Sequence, residues 1–265
     1  MYPFIDLGFI KIPMYGLMCT LGTVLAVALA LFRKNRYNIQ RDDLLYSACF
    51  AGVGVLVGSK LLYFIATLPH VLKNIESYSG DVKAILYALL GGYVFYGGLI
   101  GGLIGGIVYG KIYKISPMRI IDSYAPSIPL LHAFGRIGCF FAGCCYGAPS
   151  EKYGVYFSEV GGAPQGVKLF PIQLVESGIN FLVFLILFFV SRKKKLHVGF
   201  LTGLYLSIYA VERFILEFFR YDYIRGNLLG ISTSQWISIV LLPVGIALML
   251  FGRKIEKLFG KYEEV

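Results

Sequence analysis

Residues 132–147 read His132-Ala-Phe-Gly-Arg136-Ile-Gly-Cys139-Phe-Phe-Ala-Gly-Cys144-Cys145-Tyr-Gly147. One arginine stands between two glycines in a segment that is otherwise apolar enough to lie in a bilayer. A guanidinium stays protonated, and it is costly near the membrane centre unless it faces water, an anion or a carboxylate. Arg136 therefore indicates a buried functional site in a membrane protein.

The rest of the chain is also strongly apolar. Of its 265 residues, 57% are hydrophobic, and the mean hydropathy is +0.70. One soluble core cannot hide so much apolar surface, so we predict an all-α, polytopic membrane protein. No segment resembles a cleavable signal peptide, so the first span is expected to remain. Runs of about 20 apolar residues predict seven transmembrane helices near residues 13–32, 44–66, 84–110, 119–142, 172–191, 198–219 and 235–252.

The distribution of lysine and arginine predicts the orientation. Most of these residues lie after the first, third and fifth predicted spans and at the C-terminus. Because positive charges near span ends resist translocation, we predict an outside N-terminus and a cytoplasmic C-terminus. The net charge of +10 is then explained by contacts with anionic headgroups, and no nucleic-acid partner is expected.

The chain is predicted to form a single integral membrane domain over residues 1–265, because no long linker or low-complexity tract interrupts the spans. The longest outward connection, about residues 148–170, is rich in Gly, Pro and Tyr. We predict that it is an outward-facing loop or lid.

Glycine pairs recur in the third span at Gly97-Gly98, Gly101-Gly102 and Gly105-Gly106. A spacing of four places small residues along one helix face, where a neighbouring backbone can approach closely. From Tyr93 to Gly98 the density of glycine predicts an irregular or broken helix. At membrane depth such a break is tolerated only against protein or a wet cavity.

A second charged group lies in the sixth predicted span. Tyr209, Arg213 and Glu217 are spaced by four and share one helix face. They form either an internal ion pair that ties helices together or, with Arg136, an anion pocket. We favour the pocket, because two arginines come from two spans. Both spans run outward, so the site is expected to face the outer leaflet.

Five motifs resemble those of the prolipoprotein diacylglyceryl transferase family, in order and over nearly the whole chain. Gly135 to Gly147 resembles its signature Gly-Arg-x-Gly-Asn-Phe-x-Asn-Gly-Glu-x-x-Gly. The other four motifs are Ile12-Pro-Met-Tyr15-Gly-Leu-Met, Gly58-Ser-Lys60, Phe95-Tyr96-Gly-Gly-Leu-Ile-Gly101 and Tyr209 to Arg220.

The resemblance implies an enzyme of the bacterial cytoplasmic (inner) membrane. It would transfer the diacylglyceryl group of phosphatidylglycerol to the lipobox cysteine thiol of prolipoproteins and release glycerol phosphate. Its partners would be these two substrates and membrane lipids, and no metal or organic cofactor is required. The alternatives are a related lipid transferase with another acceptor and a noncatalytic lipid-binding or redox-responsive membrane protein.

The same resemblance implies roles for single residues. Arg136 and Arg213 would bind the lipid phosphate and stabilise the charge that grows on it, while Glu217 would hold Arg213 in place. The implied substrate-binding residues are Tyr15, Lys60, Gly97, Gly98, Cys139, Gly143, Cys144, Gly147 and Tyr209.

The chain departs from the family pattern where a proton acceptor is expected. The family's third-span histidine is Tyr96 here, and the histidine before its Pro-x-Gln-Leu motif is Phe170. A thiol with a pKa near about 8.5 is only partly ionised at neutral pH, so a base or a cationic environment is still required. His132, one turn before Arg136, and Tyr96 are the candidates. The alternative for His132 is a packed, hydrogen-bonded side chain.

Three cysteines stand in or beside the signature. Cys139 and Cys144 replace an asparagine and the glutamate of the family pattern, and Cys145 follows directly. Their spacing matches no zinc pattern, so no metal is expected. A disulfide near an oxidising outer face, packing of small residues and a covalent relay through Cys139 remain alternatives.

Overall fold

A computed structural model describes residues 3–34, 37–75, 81–157, 162–192, 196–221, 227–228 and 230–259. The described part of the chain forms nine α-helices: α1 Met14–Phe32, α2 Arg41–Lys73, α3 Val82–Leu90, α4 Phe95–Ile112, α5 Pro117–Tyr124, α6 Ser127–Ala142, α7 Ile172–Val190, α8 Phe200–Leu216 and α9 Thr233–Phe259. A 3-10 turn, Glu217–Phe219, follows α8. Two antiparallel hairpins pair β1 Phe4–Asp6 with β2 Lys11–Pro13, and β3 Asn227–Leu228 with β4 Ile231–Ser232.

Five of the described helices are long and apolar enough to cross a membrane, namely α1, α2, α4, α7 and most of α9. The helix α6 is apolar but shorter. Most residues of these long helices are not buried inside the protein, as expected for side chains that face lipid. The chain is therefore an all-helical, multi-pass membrane protein. The count of seven spans and the orientation of the termini stay predictions.

Two of the predicted spans are each divided into two helices. The span near 84–110 becomes α3 and α4, which are separated by residues 91–94. The break expected from Tyr93 to Gly98 therefore lies earlier than predicted, because residues 95–98 already belong to α4. The span near 119–142 becomes α5 and α6, a division that the hydropathy does not predict. Its cause is Pro126, which has no N–H to continue α5 and occupies the N-terminal cap of α6.

The chain forms two compact units. The first comprises Met1–Arg33 and Ile121–Leu258, and the second comprises Lys34–Ile120 and Phe259–Val265. Each unit has its own helix packing, which is set out below for the described residues. The single-domain organisation predicted from the sequence stays a prediction.

In the second unit, α2 packs along α4 through glycines on both helices. A Cβ atom on Gly97 would collide with the backbone oxygen of Gly58, and one on Gly101 would collide with that of Gly54. Only residues without a side chain permit this approach. The close approach predicted from the four-residue glycine spacing is confirmed.

In the first unit, α6 packs against both α1 and α7. A Cβ atom on Gly138 of α6 would lie 3.2 Å from the Cα atom of Tyr15 at the start of α1. The hydroxyl of Ser177 on α7 donates to the carbonyl of Ala133 on α6 at 2.9 Å. These contacts fix the segment of α6 that carries Arg136.

The connection between α6 and α7 folds back onto the end of α6. Phe157 and Leu169 are buried in this connection, and Phe140 of α6 packs against them. Residues 158–161 of the predicted lid, about 148–170, lie outside the described residues. Its role as a lid stays a prediction.

Candidate active site

One carboxylate near the start of α7 contacts three arginines. The Oε2 atom of Glu176 lies 2.6 Å from Nε of Arg136 on α6. Its Oε1 atom lies 3.4 Å from Nη1 of Arg213 on α8 and 3.2 Å from Nη1 of Arg220, which follows the 3-10 turn. The side chain of Glu176 is 3% exposed. Three positive charges therefore share one desolvated carboxylate. Leaving a charge without a partner in such a buried place would be strongly destabilising.

Arg213 is enclosed by its partners. Its Nη2 atom lies 2.5 Å from Oε2 of Glu217, one turn along the chain. The same nitrogen donates to the hydroxyl of Ser234 on α9 at 2.8 Å. With Glu176 as a third partner, this guanidinium ties α7, α8 and α9 together and has little room to move.

Arg136 is the most accessible of the three arginines. Its side chain is 24% exposed, compared with 9% for Arg213 and 3% for Arg220. A guanidinium carries five N–H donors, and the contact with Glu176 uses Nε. The terminal nitrogens of Arg136 are therefore the donors best placed for an incoming anion.

The structure brings Arg136, Arg213 and Glu217 together, as the sequence predicted. It also shows the internal ion pairs that the sequence offered as the alternative to an anion pocket. Sequence reasoning missed Glu176 as a site residue, although a carboxylate in an apolar helix is as informative as an arginine. It also missed Arg220, which stands at the end of the motif that carries Arg213.

A polar row continues from Glu176 along α7. The Asn180 amide donates to Oε1 of Glu212 on α8 at 2.8 Å and to the carbonyl of Glu176 at 2.9 Å. Asn180 is buried, and these contacts satisfy its N–H donors, whereas its Oδ1 atom has no hydrogen-bond partner among the described residues. Glu212 thereby joins the polar face of α8 that contains Arg213.

His132 lies among aromatic side chains of α8. Its Nδ1 atom is 2.8 Å from the hydroxyl of Tyr205, and its ring centroid is 5.6 Å from that of Tyr209. These contacts match the packed, hydrogen-bonded interpretation of this histidine. Its service as a base stays a prediction.

Three thiols meet at the C-terminal end of α6, and we call Cys139, Cys144 and Cys145 the thiol cluster. Their Sγ atoms all lie within 4.8 Å of one another, and all three side chains are partly buried and form no disulfide in the structure. Gly143 ends α6 with a left-handed φ of 75° and turns the chain back. The Cys144 N–H then donates to the carbonyl of Cys139 at 3.2 Å.

Neighbouring segments hold this turn in place. The Gln173 side chain of α7 donates to the carbonyl of Cys144 at 2.7 Å. The N–H of Gly147 donates to the carbonyl of Phe170 at 2.9 Å, and Gly147 also forms an isolated bridge with Arg220. The signature residues Gly143 and Gly147 therefore shape the loop through backbone contacts.

The thiol cluster lies in the electric field of two arginines. Hydrogen bonds from the thiols of Cys139 and Cys144 lower the pKa of the Cys145 thiol, and the charges of Arg220 and Arg136 lower it further. Burial acts in the opposite direction but does not outweigh them. Cys145 is thus the member of the cluster in which the thiolate is favoured.

Four predicted site residues lie in the second unit. Lys60 donates to the carbonyl of Leu90, and its Nζ atom lies 4.1 Å from the ring centroid of Tyr93. Tyr96 is 40% exposed in the first turn of α4. Gly97 and Gly98 are buried, and both face α2, so their described contacts are those of helix packing.

Tyr15, the predicted substrate-binding residue in α1, is accessible. It is 48% exposed in the first turn of that helix, and its backbone passes Gly138, one turn before Ala142 at the end of α6. This position places an accessible tyrosine beside the helix that carries Arg136 and Cys139.

Comparison with known proteins gives a consistent result. A sequence model described as prolipoprotein diacylglyceryl transferase matches residues 3–251. The chain is 38% identical to a phosphatidylglycerol–prolipoprotein diacylglyceryl transferase of Clostridium tetani, over 89% of this chain and 92% of that protein. A Clostridium perfringens relative, named phosphatidylglycerol–prolipoprotein diacylglyceryl transferase 2, is 35% identical over 96% and 94% of the two chains. A Nitrosomonas europaea protein with the C. tetani protein's name is 30% identical over 98% and 91%.

Proposed function

The chain belongs to the prolipoprotein diacylglyceryl transferase family, and we propose that Arg136 binds the phosphate of its lipid substrate. The protein is a transferase that moves the diacylglyceryl group of phosphatidylglycerol to the lipobox cysteine thiol of prolipoproteins. A sulfur–carbon bond forms as a carbon–oxygen bond breaks. Glycerol phosphate leaves with the electron pair, and the thiol proton passes to a base.

The accessibility of Arg136 is the observation that carries this proposal. Its positive charge is paired with Glu176 through Nε, and in this proposal its terminal nitrogens make two parallel hydrogen bonds to phosphate oxygens. As the carbon–oxygen bond breaks, negative charge grows on the phosphate. Fixed donors in a site of low dielectric stabilise that charge without reorganising.

Arg213 acts as a positioning residue in this proposal. It is enclosed by Glu176, Glu217 and Ser234, so it contributes positive charge and holds the carboxylate that orients Arg136. Glu217 keeps Arg213 in place, as the sequence suggested. Arg220 completes the set by contacting Glu176 from the chain beyond α8.

We propose that tyrosines bind the lipid headgroup and that His132 or a tyrosine accepts the thiol proton. Tyr15 and Tyr209 would donate hydrogen bonds to the glycerol headgroup. His132, which is held by the Tyr205 hydroxyl, and Tyr96, at the start of α4, are the proposed proton acceptors. We further place the protein in the cytoplasmic membrane, with this site open to the outer leaflet.

The test uses the full-length chain in bacteria depleted of their own transferase. We expect the chain to restore growth and lipoprotein modification, and Arg136→Ala to abolish both while the protein remains in the membrane. Arg136→Lys should restore little activity, because an ammonium cannot make two parallel hydrogen bonds. Arg41→Ala, at the exposed start of α2, is the control and should behave as the unmodified chain.

Three other outcomes would redirect the assignment. If the purified protein released glycerol phosphate only with a different acceptor, the transferase would belong to a sister activity. If Arg136→Ala left transfer unchanged, the phosphate role of this residue would be wrong. If the unmodified chain neither complemented nor released glycerol phosphate, a noncatalytic lipid-binding role would replace the enzyme.

A further inference from the structure

The thiol cluster contains one more thiol than a disulfide can use. Cys139 is on the last turn of α6, whereas Cys144 and Cys145 follow the helix, yet all three sulfurs meet within 4.8 Å of one another. A disulfide would join two of them and leave the third unexplained. Three sulfur atoms at this mutual distance can bind one metal ion.

The distances fit a thiophilic metal. Zinc–sulfur bonds are about 2.3 Å long, so three sulfurs around one zinc ion lie roughly 3.8 to 4.0 Å apart. Sulfurs that are already within 4.8 Å of one another reach this spacing with shifts of less than about 1 Å, which rotation about side-chain bonds can supply.

The turn that presents the thiols is fixed and strained. Cys145 has a φ of 60°, a conformation that is uncommon for residues with a side chain. Such strain persists only where the surroundings enforce it, and it is found preferentially at functional sites. Here the left-handed Gly143 and the hydrogen bond from Gln173 to Cys144 enforce it.

The charges around the cluster also fit a thiolate site. Metal binding removes the proton from each thiol, and three thiolates with one divalent cation carry a net negative charge. Arg220 and Arg136 act on the cluster from nearby, so their guanidinium groups oppose that charge. All three cysteines are partly exposed, so the cluster is not sealed inside the protein.

We propose that Cys139, Cys144 and Cys145 form a binding site for a single thiophilic metal ion of the Zn²⁺ class. Three protein ligands leave the fourth tetrahedral position open, as in zinc sites that bind water or a substrate. The spacing of the cysteines in the sequence does not predict this site, because the three sulfurs are brought together by the end of α6 and the left-handed turn that follows it. The inference concerns metal binding and stands apart from the transfer reaction.

The experiment measures metal binding to purified, reduced, full-length protein in detergent. After dialysis against Zn²⁺ and removal of loose ions, we expect one zinc per chain by elemental analysis. Cd²⁺ in place of Zn²⁺ should give thiolate-to-metal charge-transfer absorption. Serine at any one of the three positions should weaken binding by roughly 10- to 100-fold or more, at least as much as loss of an outer-shell partner.

Matched controls come from the two other cysteines. Cys19 in α1 and Cys49 in α2 are not members of the thiol cluster, so the variants Cys19→Ser and Cys49→Ser should bind zinc as the unmodified chain does. In the unmodified protein, Zn²⁺ should protect Cys139, Cys144 and Cys145 from alkylation while the exposed Cys49 stays reactive. This measurement needs no variant and therefore does not depend on variant folding.

Two results would overturn the proposal. One is zinc binding that is equal in the unmodified chain and in the triple serine variant. The other is a disulfide between two of the three cysteines in protein extracted from membranes, together with no zinc binding once that disulfide has been reduced. Either result would refute the metal site and leave the proposed transferase activity standing, because complementation tests that activity independently.

Discussion

At the scale of single residues, Glu176 controls the geometry of the candidate active site. Its two carboxylate oxygens contact arginines from α6, from α8 and from the chain after α8. A buried ion pair is weak evidence for stability in itself, but removing one partner leaves uncompensated charge in a desolvated place. Loss of the Glu176 carboxylate would therefore leave the three arginines without their shared counter-charge.

We expect Glu176→Gln to lower both activity and stability. The amide keeps the shape but loses the charge, so Arg136, Arg213 and Arg220 would repel one another without a shared counter-charge. Loss of one partner from a buried pair costs about 3–5 kcal/mol, which should lower the unfolding temperature in detergent. Transfer assays and thermal unfolding of the same preparation check both parts.

Glu151→Gln is the matched control for this substitution. Glu151 is 92% exposed and lies 3.6 Å from Lys168, and such surface pairs contribute little. We expect its unfolding temperature and activity to match those of the unmodified chain. Equal behaviour of the two variants would show that the carboxylate of Glu176 has no special role.

The sequence revealed the charged residues of the site but not their pairing. Arg136, Arg213 and Glu217 were recognisable because charge is costly in apolar helices. The shared carboxylate of Glu176 depends on how α6, α7 and α8 pack, which spacing along one helix does not specify. The sequence singled out the three cysteines of the thiol cluster together, but the convergence of their sulfurs depends on the left-handed turn at Gly143, which spacing along the chain does not specify.

At the scale of helices, α2 and α4 touch through backbone atoms. The four-residue spacing of glycines predicted a close approach, because the periodicity of an α-helix places such residues on one face. The partner glycines, Gly54 and Gly58, were not predicted, since nothing within α4 specifies which helix lies opposite. The division at Pro126 was also missed, because hydropathy is continuous across it.

Gly97→Ala should impair folding, whereas Gly106→Ala should not. A Cβ atom on Gly97 would collide with the backbone of Gly58, whereas a Cβ atom on Gly106 would meet no heavy atom of a neighbouring segment within 4 Å. Alanine favours a helix over glycine by about 1 kcal/mol, so Gly106→Ala should be neutral or stabilising. Gly97→Ala should reduce the yield of folded, monodisperse protein in detergent.

The same two variants also test the packing itself. Equal yields and equal unfolding temperatures would mean that α2 and α4 separate easily or do not touch in the membrane. The comparison is informative because the two substitutions add the same atom to the same helix.

At the scale of the whole molecule, composition determines the class and charge suggests the orientation. Hydropathy correctly predicted a multi-pass helical protein, and five described helices are long enough to span. Shorter helices, such as the 16-residue α6 and the 17-residue α8, are not identified as membrane spans when length is the criterion. They carry the polar site, and polar side chains lower the hydropathy on which the count depends.

A fluorescent-protein fusion tests the predicted orientation. The lysines and arginines after the fifth predicted span and at the C-terminus predict a cytoplasmic end. Green fluorescent protein attached after residue 265 should therefore fluoresce in bacterial cells. Alkaline phosphatase at the same point should be inactive, and the reverse pattern would contradict the orientation.

The arginine cluster also has a consequence for lipid choice. Three guanidinium groups gather at Glu176 and Glu217, and Arg136 is the most exposed of them. A phosphodiester with an uncharged alcohol brings only negative charge to Arg136. A zwitterionic headgroup also brings an ammonium, which the guanidinium groups repel. Vesicles of phosphatidylglycerol should therefore bind more tightly than vesicles of phosphatidylethanolamine, and added salt should narrow the difference.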